Sequence, residues 1–278
     1  MRVRHTPNTL QPKLPCKTLT RPMAFEPQAR LEGKTAVITG GTGAIGHATA
    51  RRLAALGASC VLLHRKDAET AEALTGTLHR AALTQRNSAV FADITDSATL
   101  QNACETVARS YGRCDILVNS AGFTRAVPAA DLDALDDQLI DSLMQANFRG
   151  VIATIRAFLP LLRASGDGLV ANISSIAAFT GVGSNLAYVA AKAGLDVVGD
   201  ALAKALAPTV RVVSVSPGAV ASSFVPGRGV AFNTQAAATT PLGRIGQPDD
   251  VAAVIEALAT TMRFVTGTRI VVDGGRHL

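Results

Sequence analysis

The sequence is poor in aromatic, sulfur-containing and charged residues. It has no tryptophan, two tyrosines and four cysteines in 278 residues, and 17% of its residues are charged. The cysteines stand far apart, and no pair has the short spacing of a zinc or redox site. They are Cys16, Cys60, Cys104 and Cys114. We therefore expect reduced thiols and no metal site.

The sequence also lacks any run of about 20 consecutive apolar residues, which a helix needs to cross a membrane. No stretch near the start has the apolar centre of a secretory signal. Together with the widely spaced cysteines, these absences predict a cytoplasmic protein with no membrane partner.

Positive charge is concentrated at the start of the chain. Residues 1–30 contain six basic residues and one acidic residue, whereas the whole chain has a formal net charge of +6. The remainder is close to neutral, which argues against nucleic acid as a partner. Residues 1–30 show no helical or strand period, so we expect a disordered basic extension. We expect translation to begin at Met23, with residues 1–22 outside the native protein. The alternative is a basic targeting peptide.

From Leu31 onward, short apolar runs alternate with longer amphipathic stretches. The predicted strands are 34–39, 59–63, 88–92, 115–119, 169–174, 210–216 and 269–273. Helical periodicity marks 44–56, 97–112, 133–163 and 186–207. This alternation predicts an α/β fold, a Rossmann-type doubly wound parallel sheet of about seven strands with helices on both faces. Because no linker or repeat follows Leu31, we expect a single domain over residues 31–278.

A glycine-rich turn follows the first predicted strand. Residues Thr39 to Gly46 read Thr-Gly-Gly-Thr-Gly-Ala-Ile-Gly and lead directly into a predicted helix. Glycines let the backbone approach a pyrophosphate, whose charge the N-terminus of a helix stabilises. The turn therefore favours a dinucleotide site, although glycine turns also serve as plain connections.

Basic residues follow the second predicted strand, at His64, Arg65 and Lys66. An NAD site usually has an acidic residue here, which accepts hydrogen bonds from the ribose 2′-hydroxyl. A cation instead suits the additional 2′-phosphate of NADP(H), and Asp67 comes too late in the chain to supply the acid. We therefore expect NADP(H) to be preferred, with NAD(H) as the alternative cofactor. The competing interpretation is a solvated basic loop.

Tyr188 and Lys192 stand four residues apart in a predicted helix and therefore share one face. A free tyrosine has a pKa of about 10 and is a weak acid–base catalyst at neutral pH. We expect the nearby ammonium to lower the pKa of Tyr188 toward the working range. Ser175 lies thirteen residues before the tyrosine. Taken alone, a tyrosine four residues before a lysine favours a surface pair, and only the accompanying motifs indicate a catalytic role.

In their order and spacing, these motifs resemble the short-chain dehydrogenase/reductase family over residues 31–275. The resemblance implies that the catalytic residues are Asn147, Ser175, Tyr188 and Lys192. It implies that the cofactor is bound by Gly40, Thr42, Gly43, Ile45, Gly46, Arg65, Asp93, Ile94, Asn119, Ala121, Gly122, Tyr188, Lys192, Pro217, Gly218, Val220 and Ser222. The chain departs from the family pattern at Ala44, Ser120 and Val213, and none of these departures removes a chemical group from the mechanism.

The resemblance also implies a mechanism for these residues. Ser175 would polarise the substrate carbonyl, and Tyr188 would donate a proton as hydride leaves the nicotinamide. Lys192 would bind the ribose hydroxyls, and Asn147 would hold a water that links Lys192 to solvent. The backbone near Val220 would grip the nicotinamide carboxamide.

The expected function is NADPH-dependent reduction of a ketone or 3-oxoacyl-type carbonyl to the alcohol. The segment from Ala121 to Arg125 resembles that of 3-oxoacyl-[acyl-carrier-protein] reductases. One alternative is an NAD-linked alcohol, sugar or dihydrodiol dehydrogenase; another, from a different class, is a non-catalytic nicotinamide-binding regulator. Because members of the family are commonly tetramers or dimers, the resemblance implies a homo-oligomer, with a homotetramer as the first expectation.

The substrate is expected to bind beside residues 219–240, which we predict to be an irregular lid. Phe224, Val225 and Phe232 within it suit an apolar or medium-sized substrate. Arg228 and Arg125 are candidates to bind a carboxylate or a phosphate. The equal alternative is that both arginines face water.

Overall fold

Seven parallel strands form one sheet in the computed structural model of the chain, which describes residues 31–81 and 83–278. The strands are β1 (Thr35–Thr39), β2 (Ser59–His64), β3 (Ser88–Phe91), β4 (Ile116–Asn119), β5 (Gly168–Ile173), β6 (Val210–Pro217) and β7 (Thr268–Val272). Their order across the sheet is β3-β2-β1-β4-β5-β6-β7. Each of the seven predicted runs forms a strand, so the predicted doubly wound parallel sheet is confirmed. The predicted extension over residues 1–30 lies outside the described residues.

Helices connect the strands and cover both faces of the sheet. They are α1 (Ala44–Ala55), α2 (Ala68–Gly76), α3 (Ser97–Tyr111), α4 (Asp137–Met144), α5 (Gly150–Ala164), α6 (Ala177–Thr180), α7 (Leu186–Leu206), α8 (Val230–Ala238) and α9 (Pro248–Thr260). A π-helical turn over Gln145–Arg149 joins α4 to α5.

Two helix predictions need correction. The predicted helix over 133–163 begins at Asp137, because the side chain of Asp136 caps it by accepting a hydrogen bond of 2.7 Å from the backbone N–H of Leu139. The expectation of an irregular lid over 219–240 is wrong for α8. Its alanine-rich sequence favours a helix, and α8 occupies the second half of that segment.

The core lies in two layers, one on each face of the sheet. Along β1, Val37 belongs to the apolar cluster under α3, α5 and α7, whereas its neighbours Ala36 and Ile38 belong to the cluster under α1 and α9. Successive strand residues point to opposite faces, so a strand covered on both sides needs apolar residues throughout. This explains the continuous apolar runs in the sequence.

The three described cysteines, Cys60, Cys104 and Cys114, are buried and unpaired, as predicted for reduced thiols, while Cys16 lies outside the described residues. Within the described residues, no helix is both long enough and apolar enough to span a membrane. Over the same residues, no three His, Cys, Asp or Glu side chains gather as a metal site would require.

The strand order reverses direction at β1, whose neighbours are β2 on one side and β4 on the other. Helices that cross to opposite faces leave a crevice at the carboxyl ends of such strands, where α/β folds bind ligands. A ligand site is therefore expected at the loops that follow β1, β2, β4, β5 and β6.

Candidate active site

A cleft of about 1050 Å³ opens at the carboxyl ends of the strands. The residues that end four of the strands line it, namely Thr39, His64, Ile173 and Pro217. Nearly all the predicted site residues also line the cleft. The exceptions are Gly46, Asn119 and Asn147, which lie behind its wall.

The glycine turn after β1 is built by close backbone contacts. Gly40 adopts a φ of +60°, and a Cβ atom there would lie 2.9 Å from Cα of Ala121. A Cβ atom on Gly46 would lie 2.3 Å from the carbonyl oxygen of Gly40. Gly46 therefore lets α1 approach the turn from behind, which is why it does not line the cleft.

The N-terminus of α1 points its free backbone donors toward the cleft. Gly43 is the N-cap residue and provides no side-chain hydrogen bond, while Thr42, Gly43 and Ala44 all line the cleft. The first N–H groups of a helix have no partner within it and attract anions. The pyrophosphate of a dinucleotide fits this arrangement. Ala44 leaves this arrangement intact, because it is the first residue of the helix and its side chain is exposed.

Two exposed cations line the cleft beyond β2, at Arg65 and Lys66. The guanidinium Nη1 of Arg65 lies 4.0 Å from Oδ2 of Asp93, which follows β3. Thr95 donates two hydrogen bonds to Asp93, 2.9 Å from its backbone N–H and 2.7 Å from its hydroxyl. Burial acts to raise the pKa of Asp93, but Thr95 and Arg65 together hold it below its ordinary value. The aspartate is therefore a carboxylate at neutral pH.

The acidic residue that follows these cations caps helix α2. Asp67 adopts a left-handed φ of 58° and caps α2 by accepting a 2.9 Å hydrogen bond from the backbone N–H of Thr70. His64 is buried, with Nδ1 3.3 Å from the carbonyl oxygen of Lys66. Since the carboxylate of Asp67 is engaged with its own helix, the charge presented at the end of β2 is positive.

Helix α7 carries the tyrosine and lysine into the cleft. Its N-cap Asn185 accepts a 2.7 Å hydrogen bond from the backbone N–H of Tyr188, which fixes the start of the helix. Tyr188 is 8% exposed and Lys192 is 4% exposed. Nζ of Lys192 donates a 2.7 Å hydrogen bond to the carbonyl of Ile173 and lies 5.7 Å from the centre of the Tyr188 ring.

Burial has the largest effect on the pKa values of Tyr188 and Lys192. It raises the pKa of Tyr188 to about 12, against the opposing effects of a hydrogen bond with Ser175 and the charge of Arg228. Burial also lowers the pKa of Lys192 to about 8, and the charge of Asp196 opposes it. The expectation that Lys192 lowers the pKa of Tyr188 is therefore wrong for this structure. The phenol is protonated at neutral pH, which is the form that a proton donor needs.

Asn147 lies in the π-helical turn and is fully buried. Its Nδ2 donates to the carbonyl oxygens of Phe123 at 2.9 Å and Leu143 at 3.1 Å. A Cβ atom on Gly122 would lie 2.5 Å from Oδ1 of Asn147, which has no hydrogen-bond partner among the described residues. The side chain thus braces the cleft wall after β4, and π turns often occur at functional sites.

Asn119 also acts behind the wall. Its Nδ2 donates a 2.9 Å hydrogen bond to Oδ1 of Asn172 on β5. The hydroxyl of Thr39 accepts hydrogen bonds of 3.1 Å from the backbone N–H groups of Ser120 and Ala121. These contacts join the ends of β1, β4 and β5. Because Ser120 contributes its backbone, its departure from the family pattern leaves this link unchanged.

The loop after β6 is anchored to the end of β7 and to the segment before α9. A Cβ atom on Gly218 would lie 2.6 Å from Cβ of Asp273, and Ala221 donates a 2.9 Å backbone hydrogen bond to Gly246. Pro217, Gly218, Val220 and Ser222 all line the cleft. The segment predicted to contact the nicotinamide is therefore fixed in position by its neighbours.

The far end of the cleft contains residues that sequence reasoning missed. Arg276 and His277 line it, together with Arg228 from the lid. Both missed residues follow the Asp-Gly-Gly motif at the end of β7, and the carboxyl end of a parallel strand is the signal that could have placed them. Arg125 instead donates a 2.8 Å hydrogen bond to the carbonyl of Ala134 and does not line the cleft.

A buried carboxylate behind Lys192 was also missed. Asp196 is one turn further along α7 and 5% exposed. Its Oδ2 lies 3.3 Å from Nη1 of Arg269 on β7. The spacing of four residues from Lys192 was the available signal, since such residues share a helix face.

Comparison with known proteins agrees with this geometry. The family model described as Enoyl-(Acyl carrier protein) reductase matches residues 41–277. A 3-oxoacyl-[acyl-carrier-protein] reductase of Thermotoga maritima is 32% identical over 88% of this chain and 98% of its own length. A D-threitol dehydrogenase of Mycolicibacterium smegmatis is 34% identical over 88% of this chain and 94% of its own length.

Among solved structures, a short-chain dehydrogenase of Burkholderia cenocepacia in complex with NADP superimposes with a TM-score of 0.80. It is 33% identical, and the match covers 90% of this chain and all of that chain. With the family model and these relatives, the cleft shows that the chain belongs to the short-chain dehydrogenase/reductase family, as an NAD(P)-dependent oxidoreductase that acts on carbonyl and alcohol groups.

Proposed function

We propose that this chain is an NADPH-preferring reductase that converts a ketone or 3-oxoacyl-type carbonyl to the alcohol. The observation that carries the proposal is the presence, in one cleft, of Arg65 at the end of β2 and the phenol of Tyr188 beside Lys192. The cation suits the 2′-phosphate, and the phenol can donate a proton to the oxygen of a carbonyl that is being reduced. The 3-oxoacyl-[acyl-carrier-protein] reductase among the relatives supports the same direction.

The bound nicotinamide would supply the hydride, and the side chains of this chain would do the rest. The Ser175 hydroxyl accepts a 3.1 Å hydrogen bond from the backbone N–H of Ala177 and is also hydrogen-bonded to Tyr188, so a substrate oxygen beside the two hydroxyls would be within reach of both. Tyr188 donates the proton to that oxygen. Lys192 would hold the ribose hydroxyls with its ammonium. Asn147 would hold a water with Oδ1, which has no hydrogen-bond partner among the described residues.

The proposal also assigns cofactor contacts to the other residues that the sequence predicted to bind the cofactor. Gly40, Thr42, Gly43 and Ile45 would receive the pyrophosphate, with Gly46 as support. The remaining contacts are assigned to Asp93, Ile94, Ala121, Gly122, Pro217, Gly218, Val220 and Ser222, with Asn119 as a brace behind them.

Titration with NADPH and NADH, followed by nicotinamide fluorescence, tests the cofactor preference. We expect tighter binding of NADPH and its oxidation by some member of a panel of 3-oxoacyl and aromatic ketones. Tighter binding of NADH would favour the NAD-linked dehydrogenase, which the D-threitol dehydrogenase among the relatives supports as the second candidate. NADPH binding without turnover of any carbonyl would favour the non-catalytic regulator.

We also propose that the protein forms a homo-oligomer, a tetramer or a dimer. Strand β7 is an edge of the sheet, and its residues are exposed or partly exposed. Exposed edges are usually covered in native proteins. On α7, Val197 is 70% exposed. Analytical ultracentrifugation that shows only a 28.6 kDa species would contradict this.

A further inference from the structure

Among the described residues, the substrate end of the cleft is lined by positive charges and by no carboxylate, since Asp273 lies behind the lining and is paired with His277 at 2.8 Å. Among the described residues that line the cleft, the carboxylates are Asp67 and Asp93, which both lie at the nucleotide end. The opposite end holds Arg228 and Arg276. In the described part of the chain, neither arginine forms an ion pair with a carboxylate.

Arg276 is held in place by the end of α8. Its Nη1 donates hydrogen bonds of 3.0 Å to the carbonyl of Ala236 and 2.7 Å to the hydroxyl of Thr239. A guanidinium has five N–H donors in a rigid fork, so donors remain after these contacts. The backbone and hydroxyl acceptors fix the position of the charge but do not neutralise it.

Arg228 is held by an aromatic ring. Its Cζ lies 4.2 Å from the centre of the Phe232 ring. Burial and the charge of Arg276 both lower the pKa of Arg228. The two guanidinium groups therefore repel each other, and an anion placed between them would relieve that repulsion and form charge-assisted hydrogen bonds.

The two arginines lie in the same chamber as the reacting phenol. The charge of Arg228 acts on Tyr188. The ring of Phe224 lies 6.1 Å from the ring of Tyr188, centre to centre, and supplies an apolar wall. A molecule that reaches both ends of this chamber needs a carbonyl at Tyr188, an apolar middle and an anionic end.

We propose that Arg228 and Arg276 form a clamp for an oxyanion, so that the substrate is a carbonyl compound carrying a carboxylate or phosphate group apart from the carbonyl. This inference rests on the proposed reductase function of the same cleft. The clamp would favour such substrates over neutral ketones and sugars, because a neutral substrate would leave both cations without an anionic partner.

The test compares acids with their neutral esters. The probes are methyl-ketone acids from 4-oxopentanoate to 8-oxononanoate, their methyl esters, and the phosphate monoesters of the matching oxo alcohols. We expect kcat/KM with NADPH to favour an anionic probe over its neutral partner by about ten- to a hundredfold. The better anion, carboxylate or phosphate, identifies the natural group.

The double variant Arg228→Gln/Arg276→Gln should bring this ratio close to one, and Arg228→Lys should retain part of it. NADPH affinity should be unchanged in the double variant, which also shows that it is folded. Arg51→Gln is the matched control, because Arg51 is exposed on α1 and does not line the cleft. A ratio that survives the double variant, or equal rates for acids and esters in the native protein, would overturn the clamp.

Ligand-observed NMR on the protein with NADPH separates failure of the clamp from failure of the proposed function. Saturation of an acid's signals that disappears in the double variant supports the clamp even when no probe is reduced. Reduction of esters without preference for acids overturns the clamp and leaves the reductase intact. Absence of any anion binding also overturns the clamp.

Discussion

The two ends of the cleft are built in different ways. The nucleotide end consists mainly of backbone, with Gly40 and Gly46 packed so closely that a Cβ atom would clash and with the N-terminus of α1 uncapped by any side chain. The substrate end consists of side chains from the lid and the last residues of the chain, such as Arg228 and Arg276. Backbone recognition suits a cofactor shared by a family, while side chains can change with the substrate.

The largest effect on turnover is expected at Tyr188, where the two ends of the cleft meet. Tyr188→Phe should lower turnover by about 10²- to 10⁴-fold, because it removes the proton donor, while NADPH affinity stays nearly the same. Steady-state kinetics and fluorescence titration measure the two quantities. Tyr111→Phe is the control, since Tyr111 donates to the hydroxyl of Ser88 at 2.7 Å and does not line the cleft. Full turnover by Tyr188→Phe would remove its proposed role.

At the nucleotide end, Arg65→Asp should raise the dissociation constant of NADPH by about ten- to a hundredfold and leave that of NADH little changed. The reason is that the carboxylate would repel the 2′-phosphate but accept hydrogen bonds from a free 2′-hydroxyl. Arg80→Asp is the control, because Arg80 is exposed and does not line the cleft. An unchanged preference would show that the cations after β2 are a solvated loop.

Gly46→Ala tests whether the nucleotide end depends on backbone packing. The new Cβ atom would lie 2.3 Å from the carbonyl oxygen of Gly40, so we expect a loss of about 1–3 kcal/mol in the free energy of unfolding. NADPH and NADH should weaken together, because both share the pyrophosphate. Gly76→Ala is the control, since a Cβ atom at the end of α2 meets nothing within 4 Å. Denaturant unfolding that shows equal stability for the two variants would refute the packing argument.

The smallest effect concerns pH. Burial lowers the pKa of Lys192 to about 8, so the ammonium is present below that pH and lost above it. Reductive kcat/KM should therefore fall as the pH rises through about 8. The charge of Asp196 opposes this lowering, so Asp196→Asn should move the fall to lower pH.

The control for this profile is Asp200→Asn, which changes an exposed carboxylate one turn further along the same helix. It should leave the pH dependence unchanged. If Asp196→Asn lowers the rate equally at every pH, Asp196 is a structural residue only and does not stabilise the charge of Lys192.

The strands and the glycine turn were predictable because their signals are local. Apolar runs marked all seven strands, including the less buried edge strands β3 and β7, and the strand–turn–helix context located the site around Gly43. The start of α4 was missed because the Asp136 cap decides it. The helix α8 was missed because an alanine-rich segment between two loops carries no amphipathic period.

By itself, the sequence determined the parallel sheet, the end of the sheet where the cleft lies and the residue types at Ser175, Tyr188 and Lys192, because periodicity and short motifs encode these directly. Only the tertiary structure decided that burial raises the pKa of Tyr188, against the opposing effects of Ser175 and Arg228. It also decided that Arg276 joins Arg228 while Arg125 turns away. Desolvation and the meeting of segments distant in the chain depend on how the whole fold packs, which no local pattern records.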